Sequence, residues 1–87
     1  MYVVIVYDVS VERVNRLRKY LKQYMNWVQN SVFEGELTPA EFHLIKRGIK
    51  DIVDEDVDSV LIYHARNQDL MKKEHIGIEK NEITNII

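Results

Sequence analysis

The sequence predicts an α+β fold in which a mainly antiparallel sheet carries two helices on one face. Three observations lead there. An unbroken apolar run, Tyr2 to Tyr7, opens the chain and reads as a strand buried on both faces. Two later stretches, after Ser10 and after Thr38, repeat apolar residues at intervals of three and four, as an amphipathic helix does. Each is followed by segments rich in β-branched and aromatic residues, 27–37 and 59–65, which suit strands.

Ser10 stands where a cap is expected, and Val14, Leu17, Leu21, Met25 and Val28 follow it as one apolar stripe. Arg13, Arg16, Arg18, Lys19 and Lys22 fall in a stretch without acids and are expected to wrap the solvent side of this first helix. The segment WVQNSVFEGEL, residues 27–37, allows two readings: one long strand bulged at Gly35, or two short strands joined by a tight turn near Asn30 and Ser31. The second helix is better marked. Thr38 is its cap, Pro39 occupies the first turn, and Glu41 completes a capping box. Phe42, Ile45, Ile49 and Ile52 form its buried stripe. Gly48 weakens that helix by about 1 kcal/mol relative to Ala, a cost that close helix–sheet approach is expected to offset. Asp54, Glu55, Asp56 and Asp58 lack the spacing of a calcium loop and read as a solvated turn. SVLIYHA, 59–65, is a strand; a polar stretch runs through Lys73, and HIGI, 75–78, is a short strand.

This order makes the economical architecture a ferredoxin-like two-layer sandwich over residues 1–78, followed by a tail, 79–87. Ile83, Ile86 and Ile87 in that tail suit it to adding a strand to a partner's sheet. Along the first strand Tyr2, Val4 and Val6 share one side and Val3, Ile5 and Tyr7 the other. One set faces the helices. The other needs a cover, most simply a second copy of the chain.

Composition narrows the function classes. The chain has 87 residues, 46% hydrophobic, a formal net charge of -2 and no cysteine. Disulfides and thiolate metal sites are therefore excluded. No window approaches a membrane span and no signal peptide is evident, so a cytoplasmic protein without a membrane partner is expected. Gly35, Gly48 and Gly77 are isolated and form no phosphate loop or dinucleotide fingerprint, and His43, His64 and His75 show no zinc spacing. A small-molecule regulatory domain of the same fold has no marked ligand pocket in its favour. Asp8, just after the first strand's aromatic end, is either a cap that fixes a turn or a ligand for a hard metal ion. One carboxylate makes a poor Mg²⁺ site, whereas two across a dimer axis, completed by water and phosphate, would suffice.

Tyr7-Asp8, an arginine-bearing helix, the stretch Gln29-x-Ser31-Val32-Phe33-Glu34-Gly35-x-Leu37 and the strand Ser59-Val60-Leu61-Ile62-Tyr63 together resemble the small adaptation protein family of CRISPR immunity, also described as CRISPR-associated endoribonucleases. The resemblance covers residues 2 to about 78. It implies a ferredoxin-like homodimer packed sheet to sheet, with Asp8 of both copies around a divalent cation, Mg²⁺ or alternatively Mn²⁺. It implies catalytic positions at Asp8, Arg16, Ser31 and Phe33, and a nucleic-acid surface formed by Arg13, Arg16, Arg18, Lys19 and Lys22. The implied activity is metal-dependent endonuclease cleavage of RNA or duplex DNA during spacer acquisition. The implied alternative is a non-catalytic DNA-binding subunit that bridges the larger CRISPR integrase. Two departures stand out. Where many relatives have glycine at the first helix's end, this chain reads Tyr24-Met25-Asn26, and Asn26 is expected to take the left-handed cap. Where many have a basic residue before the QxS element, this chain has Trp27, which removes one phosphate contact.

Overall fold

Strand β1 (Tyr2–Asp8) lies at the centre of the sheet and pairs antiparallel with β3 (Val32–Glu36) on one side and β4 (Ser59–Ala65) on the other. The computed structural model describes residues 1–67 and 72–78, so the tail 79–87 with its three isoleucines lies outside the described residues. Strand β2 (Asn26–Gln29) flanks β3 and β5 (Lys72–Gly77) flanks β4, giving the order β2-β3-β1-β4-β5 with every pairing antiparallel. The helices α1 (Val11–Leu21) and α2 (Pro39–Ile52) follow β1 and β3. This is the expected ferredoxin-like arrangement with an added edge strand.

Alternation along β1 decides which side each residue serves. Val3, Ile5 and Tyr7 join Phe33, Val60 and Ile62 in a core closed by Leu17 and Leu21 of α1 and by Phe42, Ile45, Ile49 and Ile52 of α2. Each such side chain contributes about 1.5–3 kcal/mol on burial, so the stripe of α2 far outweighs the helix penalty of one glycine. On the opposite face Val6 and Leu61 are buried with Val4, Val32 and Tyr63 packed around them.

The Thr38 cap forms as read: its hydroxyl accepts from Glu41 N at 3.1 Å, and the Glu41 carboxylate accepts from Thr38 N at 2.9 Å. The segment 27–37 resolves into two strands, with the turn at Asn30 and Ser31 and a register shift between Trp27 and Gln29. The left-handed residue is Asn30, at φ 25°, not Asn26, which already belongs to β2. Asparagine tolerates this conformation because its short polar side chain bonds locally. Helix α1 stops at Leu21, capped by Lys22 in right-handed geometry. Met25 is still drawn into the core, but Val28 leaves the apolar stripe and stands 51% exposed on the edge strand. Strand β5 begins earlier than the sequence suggested, at Lys72.

Gly48 serves a different contact from the one expected. A Cβ there would fall 2.1 Å from the Tyr20 hydroxyl, so the glycine admits α1 against α2, not α2 against the sheet. Tyr20 then donates to the Leu44 carbonyl at 3.0 Å. Gly77, at φ +98°, is required twice over, since a Cβ would meet the Asp58 carbonyl oxygen at 1.9 Å. No helix among the described residues is long and apolar enough to cross a membrane.

Candidate nucleic-acid and metal site

The end of β1 gathers the candidate residues. Asp8 is exposed there, opposite Ser59 on the helix-free face of the sheet. Ser59 is buried, and its hydroxyl lies 3.0 Å from Nε2 of His75 on β5. The residue before Asp8 points the other way. The Tyr7 hydroxyl donates to the Asn30 carbonyl at 3.0 Å and accepts from Arg18 Nε at 3.1 Å, while Tyr7 N donates to the Ser31 carbonyl at 3.0 Å. The β2–β3 turn is thereby pinned to the end of β1, and Ser31 is brought to the same end of the sheet as Asp8.

Phe33 is fully buried, between Tyr7 at 6.0 Å and Trp27 at 6.4 Å between ring centroids. It adjoins Asp8 only through Tyr7. Trp27 is half exposed and collects cations: Arg18 lies 5.3 Å and Lys22 4.5 Å from its centroid, and its indole N–H donates to the Asn30 carbonyl at 2.9 Å. Each cation–π contact of this exposed kind contributes about 0.5–1 kcal/mol. Trp27 thus supplies no charge of its own but holds two cations at the outer edge of the sheet. Arg16 and Lys19 are exposed on α1.

Two readings need correction. Asp58 is not part of a solvated turn: it is completely buried. Its carboxylate accepts from Ser10 N at 3.0 Å, Ser10 Oγ at 3.2 Å, Asp54 N at 2.9 Å, Arg13 Nε at 2.6 Å and Arg13 Nη2 at 2.9 Å. Arg13 accordingly turns inward from the solvent side of α1, and its guanidinium forks onto Asp58. Ser10 sits at the helix start as read but spends its hydroxyl on Asp58, with no side-chain cap bond to α1. The Arg13 bonds hold the Asp58 carboxyl well below the usual carboxylate range; burial opposes this, and the Asp54 and Ser10 backbone amides add to it. A carboxylate with so many donors is a structural anchor that ties α1, the 54–58 turn and β4 together.

Sequence reading missed this anchor and the Ser59–His75 contact. A signal existed for the first: two chain segments ending beside one another, Asp8-Val9-Ser10 and Asp58-Ser59, had to share one corner once β1 paired with β4.

Among the described residues no three His, Asp or Glu side chains cluster as a metal-holding group. The chemistry of Asp8 nevertheless fits a hard cation in part: it is an exposed carboxylate, the right oxygen donor, but a single one.

Comparison with known proteins agrees with this fold. The family model described as CRISPR associated protein Cas2 matches residues 1–73. Proteins of Thermococcus kodakarensis and Pyrococcus furiosus, each described as CRISPR-associated endoribonuclease Cas2, are both 59% identical over 87 residues, all of this chain and all of theirs. A solved structure described as the crystal structure of cas2 superposes with a TM-score of 0.74 at 56% identity, covering 80% of this chain and 79% of that one. Streptococcus pyogenes Cas2, solved at pH 6.5, gives 0.69 at 41% identity, covering 75% and 86%.

Proposed function

Since the chain belongs to the CRISPR-associated protein Cas2 family, we propose that it acts in CRISPR adaptation as a homodimeric, Mg²⁺-dependent endonuclease on RNA or duplex DNA. The observation that carries this reading is the exposed Asp8 carboxylate at the end of an apolar, helix-free sheet face. Sheet-to-sheet pairing of two copies would cover Val4, Val32 and Tyr63 and bring the two Asp8 carboxylates toward one axis. Asp8 from each copy would hold the ion. When bound, a divalent cation supplies charge neutralisation at a phosphoryl oxygen and a more acidic water. Arg16, exposed one helix turn beyond the Arg13 anchor, binds phosphate oxygens and offsets charge that develops on them. The pinned turn at Asn30 and Ser31 keeps Ser31 beside the reacting end, and Phe33 supports it through Tyr7.

A second reading has its own observation. Arg16, Lys19 and Lys22 form an exposed cationic face with Arg18 and Lys22 gathered on Trp27. That surface suits sequence-independent backbone contact, and it supports a DNA-binding subunit that bridges the larger CRISPR integrase without cutting.

Asp8→Asn separates the two. The amide keeps the size and an acceptor oxygen but loses the charge a hard cation needs. Wild-type protein should cleave RNA or duplex DNA in Mg²⁺ or Mn²⁺ and sediment at twice the 10.4 kDa chain mass, and the variant should sediment alike without cleaving. Wild type that cuts neither substrate in either ion overturns the enzyme and leaves the bridging subunit. A monomer at micromolar concentration overturns the shared site, and equal cleavage by the variant removes Asp8 from it.

A further inference from the structure

A second cationic surface lies on the far side of α2 from α1. A groove of about 410 Å³ runs between α2 and β5, lined by His43, Lys46, Arg47 and Lys50 from the helix and by Glu74 and His75 from the strand. The chain as a whole carries two more acids than bases, 14 Asp and Glu against 12 Lys and Arg. The groove reverses that balance, with three permanent cations against one carboxylate.

The carboxylate is already spent. Glu74 accepts from Lys46 Nζ at 3.0 Å and is paired with His64 from the other side. Lys46 lies over the Phe42 ring as well, 4.4 Å from its centroid, which fixes its stem along the groove wall. The Lys46–Glu74 pair is close to neutral, so Glu74 does not repel an anion entering the groove. Arg47 and Lys50 are exposed and stand on one helix stripe with His43. Positions 43 to 50 span about 10 Å at the helical rise of about 1.5 Å per residue. One strand of a duplex presents a phosphate about every 3.4 Å along its axis while winding around it, so two successive phosphates fall within reach of Arg47 and Lys50.

We propose that the groove between α2 and β5 is a phosphodiester-backbone site, separate from the basic face of α1. The inference rests on the nucleic-acid reading above but not on catalysis. Arg47 and Lys50 make the phosphate contacts, Lys46 and Glu74 form a neutral wall, and the imidazole of His43 supplies a ring N–H donor at one end, while the His75 side chain points to the other sheet face toward Ser59. Backbone contact of this kind carries no base preference. Arg47 and Lys50 stand about one helical turn apart on one face, a fixed spacing that suits the regular phosphates of a nucleic-acid backbone better than an acidic protein segment, whose carboxylates have no fixed period.

The test is binding without chemistry. Labelled single-stranded RNA and duplex DNA are titrated in chelator across a range of salt, by anisotropy, with wild type, Arg47→Ala/Lys50→Ala and Arg16→Ala/Lys19→Ala. Loss of two phosphate contacts should make the plot of log affinity against log salt shallower by about 1.4 for the single strand or about 1.8 for the duplex. Whichever nucleic acid shows that change is the ligand class. The α1 variant should give its own decrease, and the two should add. Wild-type binding that Arg16→Ala/Lys19→Ala weakens but Arg47→Ala/Lys50→Ala leaves unchanged in affinity and slope overturns the groove alone. Absence of wild-type binding overturns the groove together with the nucleic-acid reading. A groove variant that loses polyglutamate but keeps nucleic acid overturns the proposal in favour of an acidic protein partner.

Discussion

Asp8 and Asp58 stand almost side by side, since Asp8 lies opposite Ser59 in the β1–β4 pairing, yet the chain treats them in opposite ways. Asp58 is completely buried and surrounded by donors from Ser10, Arg13 and Asp54. Asp8 is exposed at the end of its strand. The same side chain is a buried anchor in one place and an exposed carboxylate in the other. Burial makes the difference: a carboxylate withdrawn from water must be fully hydrogen-bonded to be tolerated, and one so bonded has no lone pairs left for a substrate or an ion. Arg13 and Arg16 repeat the contrast on α1, three residues apart, one forked onto Asp58 and the other exposed.

The most direct way to break this comparison is to remove the anchor. Asp58→Ala leaves the Arg13 guanidinium without its partner and frees Ser10 and Asp54 N–H groups near the corner. Breaking a buried pair costs about 3–5 kcal/mol, and the lower end applies because the Arg13 side chain is 23% exposed. For a domain of this size, about 3 kcal/mol corresponds to a melting temperature lower by about 12–24 °C. A loss of under about 4 °C by thermal unfolding would show that Asp58 is not an anchor.

Acid sharpens the comparison by a smaller amount. The folded Asp58 carboxyl is held below its unfolded value, chiefly by the Arg13 hydrogen bonds. Its contribution is therefore complete above the unfolded carboxylate range, near pH 4, and falls as pH drops toward the folded value. From this group alone, stability should decline by about 1 kcal/mol between pH 5 and pH 3. Glu74 is also lowered, because Lys46 and His64 outweigh the burial that would raise it, and it adds a decline of the same sign. Denaturant unfolding of wild type and Asp58→Asn at both pH values isolates the Asp58 share, and parallel pH profiles for the two proteins would contradict the assignment.

What could be read in advance follows the same division. Periodicity located both helices, the apolar run marked the central strand and the capping box marked the start of α2, because these are local patterns with local causes, but the α1 stripe was read too far, through Met25 and Val28, where the helix ends at Leu21. The family motif was legible for the same reason, whereas the sequence leaves Asp8 open between a cap or turn residue and a metal ligand. Long-range partnerships were not. Asp58 within DEDVDS looks like any solvated acidic turn until Arg13, 45 residues away, reaches it. Trp27 looked like a lost phosphate contact, but Lys22 and Arg18 stack on it only once β2 has folded beside α1. Gly48 gave its presence but not its purpose, since the Tyr20 ring that needs the space comes from the other helix.

The smallest expected effect is the most telling. If Asp8 is an available ligand and not a second anchor, its charge is dispensable for the fold. Asp8→Asn preserves the volume and one acceptor oxygen at the end of β1, so whatever turn contact the side chain makes can be kept in kind. It creates no cavity, and substitutions at an exposed position that keep size and an acceptor oxygen change stability by about 0.5 kcal/mol or less. The melting temperature in chelator should stay within about 2–4 °C of wild type. In a dimer whose two Asp8 carboxylates approach one axis, removing both charges also relieves a like-charge repulsion, so the shift should be upward without metal. Added Mg²⁺ should then raise the melting temperature of wild type, because an ion that binds only the folded state stabilises it by mass action, and leave the variant where it was. A variant destabilised as much as Asp58→Ala would make Asp8 an anchor too, and the distinction between the two carboxylates would vanish.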